Sequence, residues 1–192
     1  MAYHTPVMPD EVAELLRPAP GMLILDGTLG GGGHTELLLK AGANVIGLDR
    51  DADAIAEVTQ RLSGYARHLR TAQANFAEVE AVLEGMGVDQ LGGALLDLGV
   101  SSHQLDEGAR GFAFMKNGPL DMRMDCRQSL TAADIVNHAP FEELARIFRE
   151  YGEEPKAARI ASRLVAVRIK KPLETTFDLT AAVESVIHRT GP

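Results

Sequence analysis

Asp97 and Ser101 form a carboxylate–hydroxyl pair, four positions apart, that suits a chemical step. They lie in a polar stretch, residues 97–102, that directly follows an apolar run ending at Leu96. A carboxylate and a hydroxyl can accept hydrogen bonds from the N–H groups of an amine and hold its nitrogen in line with an electrophile. Such chemistry works by positioning and needs neither a metal nor a covalent nucleophile. A structural role for Asp97, as a buried strand-end carboxylate bonded to backbone, stays open.

A glycine-rich loop, residues 27–33, separates an apolar run that ends at Asp26 from a helical pattern. Glycines allow positive φ and a close approach of the backbone to a ligand, and the N–H groups that open the next helix are donors. No spacing of these glycines supplies the first, third and sixth positions of the dinucleotide fingerprint. The spacing Asp26-x-x-x-Gly30-x-Gly32 instead resembles the first motif of class I S-adenosylmethionine methyltransferases. A flexible glycine linker is the competing interpretation.

Three side chains outside the glycines are candidates for holding a nucleoside-bearing ligand. Asp49 ends an apolar run about 20 residues after the loop, where a carboxylate pairs with ribose hydroxyls in nucleotide-binding α/β folds. Alternatively, Asp49 or Asp51 caps the following helix. Phe76 is a candidate to lie along an adenine ring, with a plain core position as the alternative. His34 can bond the cofactor carboxylate or cap the helix that follows the loop.

The composition limits the class of protein. The chain of 192 residues is 45% hydrophobic, which suits one domain or one domain with an insertion. No run approaches the ~20 apolar residues of a membrane span, and no export signal is visible, so we expect a cytoplasmic protein without a membrane partner. A single cysteine, Cys126, and scattered histidines argue against a disulfide framework and against a metal site.

The formal net charge of −8 argues against a general nucleic-acid coat protein. A local basic region, residues 146–171, is where we expect any contact with nucleic acid. The competing interpretation is a solvated helix face. The basic residues of this region are Arg146, Arg149, Lys156, Arg159, Arg163, Arg168, Lys170 and Lys171.

Apolar runs and helical patterns alternate through the first half of the chain. Strands are predicted over residues 22–25, 45–48, 66–71 and 92–98, and helices over residues 34–41, 51–62 and 76–86. This alternation predicts a parallel sheet with helices on both faces. Ligands bind such sheets beyond the carboxyl ends of the strands, where Asp26, Asp49 and Asp97 fall. Further helices are predicted over residues 131–137, 141–151, 155–169 and 179–188.

The pattern divides the chain into three predicted parts. Residues 1–105 form a cofactor-binding core with an incomplete sheet, residues 106–129 form an ordered loop over the site, and residues 130–192 form a helical insertion subdomain. The phenylalanines and methionines of the loop favour packing over disorder. Because only four strands are predicted, we expect the chain to be part of a longer protein.

Six motifs are spread over nearly the whole chain. They are residues 4–8 (HTPVM), 26–34 (DGTLGGGGH), 47–51 (GLDRD), 96–106 (LDLGVSSHQLD), 110–112 (RGF) and 118–125 (GPLDMRMD). Together they resemble the RsmH/MraW family of bacterial small-subunit ribosomal RNA cytosine-N4 methyltransferases. The last two motifs are much more specific than any glycine loop.

The resemblance implies an α/β fold, the Rossmann-like parallel sheet of class I methyltransferases with an inserted helical subdomain. It implies S-adenosylmethionine as the cofactor and methylation of the exocyclic N4 of a cytidine in the decoding region of small-subunit ribosomal RNA, free or in a ribosomal particle. Asp97 and Ser101 would orient the amine, and the helical insertion would help to hold RNA. In the family, the cofactor is held at positions that match Gly32, Gly33, His34, Asp49, Phe76, Asp97 and Gln104.

Two other functions stay open on the sequence. Family members continue beyond the last residue of this chain, so one alternative is a truncated, non-catalytic module that binds cofactor or RNA. The strand, the glycine loop and Asp49 also permit a nicotinamide-dependent oxidoreductase. The broken fingerprint and the motif over residues 97–104 argue against that second alternative. The sequence leaves the formation of a homodimer open.

Overall fold

The computed structural model describes residues 6–100, 105 and 107–187 of the protein. It divides into two compact units, Met1–Ser101 and Ser102–Pro192. The first unit combines a parallel sheet with helices, and the second unit is helical. Within the described ranges, no helix has both the length and the apolar character that a membrane crossing requires.

A four-stranded parallel sheet forms the centre of the first unit, with the strand order β3-β2-β1-β4. The strands are β1 (Leu23–Asp26), β2 (Asn44–Asp49), β3 (Leu69–Gln73) and β4 (Gly93–Leu95). The chain moves outwards from β1 to β3 and then returns to the other side of β1. Such a reversal of strand order places a crevice beyond the carboxyl ends of β1 and β4, where open α/β sheets bind ligands.

Helices cover both faces of this sheet, as the alternating pattern predicts. They are α1 (Pro9–Leu16), α2 (Gly33–Lys40), α3 (Ala52–Arg61) and α4 (Val79–Gly85). On one face Ile24 packs with Leu38 of α2 and Val58 of α3. On the other face Ile46 packs with Val82 of α4. Ile24 and Ile46 are fully buried, which explains why the two central strands read as nearly continuous apolar runs.

Helix α1 is absent from the prediction based on sequence. Pro9 occupies its first turn, and the acidic residues Asp10 and Glu11 follow at the positive end of the helix dipole. Leu16 at its end packs, half-buried, against the core that α2 and α3 share with the sheet. With eight residues, α1 is too short for a convincing apolar period, so only these start signals identify it.

The second unit contains the helices α5 (Ala132–His138), α6 (Phe141–Glu150), α7 (Ala157–Arg168) and α8 (Thr176–Glu184). Its core includes the fully buried leucines Leu144, Leu164 and Leu173. Helix α8 begins three residues earlier than predicted. The Thr175 hydroxyl accepts the Asp178 N–H, and the Asp178 carboxylate accepts the Thr175 N–H, which together fix this helix start.

Residues 107–129 are attached to the helical unit by backbone hydrogen bonds. The Leu120 N–H donates to the Glu174 carbonyl at 3.0 Å, and Leu120 is buried in the helical core. Phe114 and Met115, which the prediction counts among the packing residues, are exposed by 57% and 71%. Leu120 therefore anchors this segment in the helical core, and the place of the segment over the site stays a prediction.

Candidate functional site

Three acidic residues lie at or just beyond the carboxyl ends of the strands. Asp26 ends β1, Asp49 ends β2, and Asp97 follows the last residue of β4 by two positions. Because all strands are parallel, these ends meet at one edge of the sheet. The glycine loop that joins β1 to α2 lies at the same edge. The first unit thus brings most of the predicted site residues into one region.

The glycine loop is a packed turn, so the interpretation as a flexible linker is wrong. Gly30 and Gly32 have φ values of 47° and 71°, in the left-handed region that favours glycine. A β-carbon on Gly32 would lie 2.8 Å from the Val58 side chain. The Leu29 N–H donates to the Leu48 carbonyl at 2.8 Å. Glycine at position 32 is therefore required both by backbone conformation and by the closeness of α3.

Asp49 organises this loop through its carboxylate. Its Oδ2 accepts the Gly30 N–H at 2.7 Å, and its Oδ1 accepts the Asp51 N–H at 2.9 Å. The role of capping α3 belongs to Asp51, whose Oδ1 accepts the Asp53 N–H at 3.1 Å. Asp49 therefore connects the end of β2 to the glycine loop and does not cap the helix.

Arg61, at the end of α3, holds the loop from another side. Its Nη2 donates to the Gly31 carbonyl at 2.7 Å, and its Nη1 pairs with Glu36 of α2. Glu36 also pairs with Lys40 at 2.6 Å. Hydrogen bonds from Lys40 and Arg61 hold the pKa of Glu36 below its usual value. These contacts tie the loop to two helices.

His34 is buried and links the loop to the N-terminal segment. Its Nε2 lies 2.8 Å from the Val7 carbonyl oxygen, and its Nδ1 lies 3.9 Å from Asp97 Oδ2. Since a carbonyl can only accept, Nε2 carries a proton, and Nδ1 faces Asp97. A β-carbon on Gly33 would lie 3.1 Å from Pro6. His34 does not cap α2, because Gly32 is the N-cap residue.

Asp97 is fixed through its backbone while its side chain stays accessible. The Asp97 N–H donates to Thr28 Oγ1 at 2.7 Å, and the side chain is 43% exposed. The interpretation of Asp97 as a buried strand-end carboxylate is therefore wrong. Its carboxylate is available at the edge of the sheet, beside the glycine loop.

Phe76 lies next to the glycine loop on a short 3-10 turn, Phe76–Glu78, that follows β3. It is half-buried, and a β-carbon on Gly27 would lie 3.4 Å from the Phe76 β-carbon. Asn75 fixes the start of the turn, since its side chain accepts the Ala77 N–H at 3.1 Å. The structure therefore places Phe76 with the other candidate residues.

Asp26 supports the loop from inside the protein. Its carboxylate is buried and accepts the Thr35 hydroxyl at 2.7 Å and the Thr28 N–H at 3.2 Å. Burial raises the pKa of the Asp26 carboxyl, although the hydrogen bonds from Thr35 and Thr28 oppose this effect. Asp26 is thus a structural support below the loop.

Two predicted residues, Ser101 and Gln104, lie outside the described residues, so their roles stay predictions.

The sequence did not predict the roles of Thr28 and Arg61 or the contact of Pro6 and Val7 with the loop. Thr28 is a hydroxyl inside the loop motif and could have been inferred. Arg61 carries no local signal, because its importance arises only when α3 packs beside Gly31. Among the described residues, no group of three or more His, Cys, Asp or Glu side chains is arranged to hold a metal ion.

The sequence is similar to two proteins named ribosomal RNA small subunit methyltransferase H. The protein of Syntrophotalea carbinolica is 49% identical over 187 residues, which cover 96% of this chain and 60% of the relative. The protein of Thermobifida fusca is 51% identical over 189 residues, which cover 96% of this chain and 57% of the relative. The chain therefore spans 57–60% of the length of these relatives.

Two solved structures also match. One is the C-terminal domain of precorrin-6Y C5,15-methyltransferase from Rhodobacter capsulatus, with a TM-score of 0.43, 20% identity, and coverage of 62% of this chain and 64% of that chain. The other is an rRNA methylase from Streptococcus thermophilus, with a TM-score of 0.41, 17% identity, and coverage of 62% and 72%.

The model of the MraW methylase family matches residues 1–190, which is nearly the whole sequence. This match and the parallel sheet confirm the predicted Rossmann-like α/β fold class and S-adenosylmethionine as the cofactor. Membership of a methylase family also favours methyl transfer over the nicotinamide-dependent alternative. The chain belongs to the MraW methylase family.

Proposed function

We propose that this protein transfers a methyl group from S-adenosylmethionine to the exocyclic N4 of a cytidine in the decoding region of small-subunit ribosomal RNA. The two relatives are both named as methyltransferases of small-subunit ribosomal RNA. The observation that carries the proposal is the position of Asp97. It presents an accessible carboxylate beside a glycine loop that is shaped to receive a cofactor.

The residues around the glycine loop fit S-adenosylmethionine. Each Asp49 oxygen accepts one backbone N–H and retains a second lone pair that can accept a ribose hydroxyl. Gly32, Gly33 and His34 lie at the start of α2, where backbone N–H groups suit the carboxylate of the amino-acid end. Phe76 would lie along the adenine. Gln104 completes the predicted set from outside the described residues.

When bound, S-adenosylmethionine supplies an electrophilic methyl group on its sulfonium. The lone pair of the cytosine amine is delocalised into the ring, so the task of the protein is to orient the nitrogen. Asp97 accepts a hydrogen bond from one N4–H and directs the nitrogen towards the methyl carbon. Asp97 would accept the N4 proton through this hydrogen bond when the amine takes up the methyl group that the bound cofactor would supply. Ser101 would supply a second acceptor.

Thr28 and His34 are positioning residues in this proposal. The Thr28 hydroxyl fixes the backbone of Asp97, and the buried His34 ring faces its carboxylate. His34 also holds the Val7 carbonyl, so one imidazole connects the N-terminal segment to the acidic group. Both side chains act through Asp97 and not on the cytidine, while the backbone of His34 belongs to the proposed cofactor contacts.

The substitution Asp97→Asn tests the proposal because it keeps the size of the side chain but replaces an acceptor oxygen by a donor. Incorporation of labelled methyl groups into small-subunit RNA, both isolated and in the subunit, should fall by about 100-fold or more. Calorimetric titration should still show binding of S-adenosylmethionine. Near-normal turnover would remove Asp97 from the mechanism. Cofactor binding without methylation by the unaltered chain would favour the non-catalytic binding module.

A further inference from the structure

A groove lies between α7 and α8 in the helical unit, and none of its lining residues is assigned above to methyl transfer. Its volume is about 330 Å³, which is at the lower end of the range for small-molecule sites. Val167 of α7 and Ala181 of α8 contribute to an apolar lining. Arg163, Lys171 and Phe177 also line the groove, so two cations and an aromatic ring meet there.

Arg163 is held in place with part of its guanidinium unused. Its Nε donates to Ser185 Oγ at 2.9 Å, a bond that runs from α7 to α8. Among the residues that the structure describes, its Nη groups make no hydrogen bond. The Arg163 side chain therefore presents oriented N–H donors at the groove, which suit the oxygens of a phosphate.

Lys171 is the second cationic residue of the groove, and Asp178 is an acidic residue in its lining. The Lys171 Nζ lies 3.4 Å from Asp178 Oδ1, and the lysine side chain is 69% exposed. An exposed pair of this kind contributes little to stability, so a phosphate can compete for the ammonium group. The other Asp178 oxygen, Oδ2, is occupied by the start of α8, where it accepts the Thr175 N–H and hydroxyl.

Phe177 is the aromatic member of the groove and is 47% exposed. An aromatic ring beside cationic side chains is the arrangement by which proteins bind single-stranded nucleic acid, since bases stack on the ring and phosphates meet the cations. Two other basic residues of this region are used internally. Arg146 pairs with Glu143 at 2.8 Å, and Arg168 donates to the Ala139 carbonyl at 2.7 Å.

We infer that the α7–α8 groove binds a single-stranded segment of the RNA substrate, with one base on Phe177 and the neighbouring phosphates at Arg163 and Lys171. The choice of RNA rests on the proposed function, but binding at the groove does not require methyl transfer. An acidic peptide would satisfy the cations, yet it would leave the aromatic ring without a stacking partner. The groove is therefore an RNA contact distinct from the glycine loop.

The test uses the whole chain and a fluorescein-labelled single-stranded RNA of about eight nucleotides, a typical site size for such binding. Phe177→Ala should weaken binding about tenfold through loss of stacking, and Phe177→Tyr should restore it. Arg163→Gln should lower the slope of log affinity against log salt by about 0.7. Fluorescence anisotropy over a salt series measures both effects.

Matched controls come from α6 of the same unit. Phe141→Ala removes another exposed phenylalanine, and Arg149→Gln removes another exposed arginine, both outside the groove. Neither should change RNA affinity. Thermal unfolding checks the fold of each variant, which the exposure of Phe177 and Arg163 should preserve.

Equal losses in groove and control variants, or no RNA binding by the unaltered chain, would overturn the inference. So would groove-dependent binding of a poly-glutamate peptide of the same length without RNA binding, which would indicate an acidic protein partner. Calorimetry with S-adenosylmethionine separates the two proposals. Groove variants that bind both the cofactor and RNA normally refute only the RNA site in the groove. An Asp97→Asn variant with normal turnover refutes only the proposed mechanism of methyl transfer.

Discussion

The glycine loop of the first unit and the α7–α8 groove of the second use charge in opposite ways. At the loop, acidic and basic side chains bind the backbone: Asp49 accepts the Gly30 N–H, and Arg61 donates to the Gly31 carbonyl. At the groove, Arg163 and Lys171 extend from the surface beside the ring of Phe177. The loop is a site made of shaped backbone, whereas the groove is lined by exposed side chains.

Each unit therefore obtains its selectivity for a ligand from a different source. A backbone site discriminates by shape and depends on residues that hold the backbone, so ionic strength should affect it little. A site of exposed cations attracts any polyanion and weakens as salt rises. The two units are thus expected to respond separately to substitution, to salt and to pH.

The largest expected effect comes from Leu164→Ala in the helical core. Leu164 is fully buried, and the truncation should cost about 3 kcal/mol of the free energy of unfolding. Hydrogen exchange should accelerate in α5–α8, while affinity for S-adenosylmethionine should hold, since the contacts of the glycine loop lie in the first unit. Val58 is equally buried, under the loop. Val58→Ala should therefore weaken cofactor binding and leave hydrogen exchange in α5–α8 unchanged. Loss of cofactor binding in Leu164→Ala would show that the two units do not respond separately.

Gly32→Ala should have the next largest effect. The positive φ of Gly32 and the Val58 side chain 2.8 Å from the added β-carbon should together cost about 2 kcal/mol of unfolding free energy, measured by urea denaturation. Gly85→Ala in α4 is the control, because the space around Gly85 is open. It should be neutral or stabilise by up to about 1 kcal/mol. Equal destabilisation by both substitutions would contradict the packed loop.

Arg61→Gln should have a smaller effect, which is measured as cofactor affinity. Losing the hydrogen bond to the Gly31 carbonyl should weaken S-adenosylmethionine binding by about fivefold, or about 1 kcal/mol, in calorimetry. Lys40→Gln is the matched control, since Lys40 also pairs with Glu36 but makes no contact with the loop carbonyl. If both variants weaken cofactor binding equally, the ion pairs with Glu36 determine the affinity and the hydrogen bond to the Gly31 carbonyl does not.

The smallest effect is a pH dependence of opposite sign in the two units. Burial works against ionisation of Asp178, but the Thr175 and backbone hydrogen bonds outweigh it and hold the Asp178 pKa below 3.8. The stability that Asp178 contributes is therefore present above pH 3.8 and is lost as the pH falls through its folded-state pKa. Burial raises the pKa of Asp26 above 3.8, so its ionisation costs stability as the pH rises.

Thermal unfolding from pH 6 to pH 3 measures this contrast. On acidification, the Tm of the unaltered chain should fall by about 2–4 °C more than the Tm of the Asp178→Asn variant. Over the same pH range, the Tm of the unaltered chain should rise relative to the Tm of the Asp26→Asn variant. Shifts of the same sign for both comparisons would show that the two carboxylates do not differ in the way that burial and hydrogen bonding indicate.

Local sequence signals predicted the elements whose residues carry a complete pattern. Strand β2 reads as a continuous apolar run because both of its faces are buried. Strand β4 was predicted to extend to residue 98 but ends at Leu95, where its pairing with β1 ends at Asp26. The apolar residues Leu96 and Leu98 are exposed beyond it, so composition alone overestimated this strand.

The parts of the site that escaped prediction depend on distant contacts. The Asp97 N–H meets Thr28 across 69 positions of sequence, and Arg61 meets Gly31 across 30. No spacing rule connects such residues before the fold is known. Asp49 was predictable because a strand end and a glycine loop identify it locally. The cytoplasmic location and the three-part division of the chain stay predictions, and the formation of a homodimer stays open.

Asp49 and Arg61 also determine what a ligand at the glycine loop has to contribute. Ordering the backbone of one residue costs about 1–2 kcal/mol in conformational entropy. Gly30 and Gly31, whose glycine backbones would otherwise be the freest of all, are ordered by these two side chains in the folded chain itself. A ligand therefore meets a loop that is already ordered, and a substitution of Arg61, which is not among the proposed cofactor contacts, can change ligand affinity through the entropy of binding.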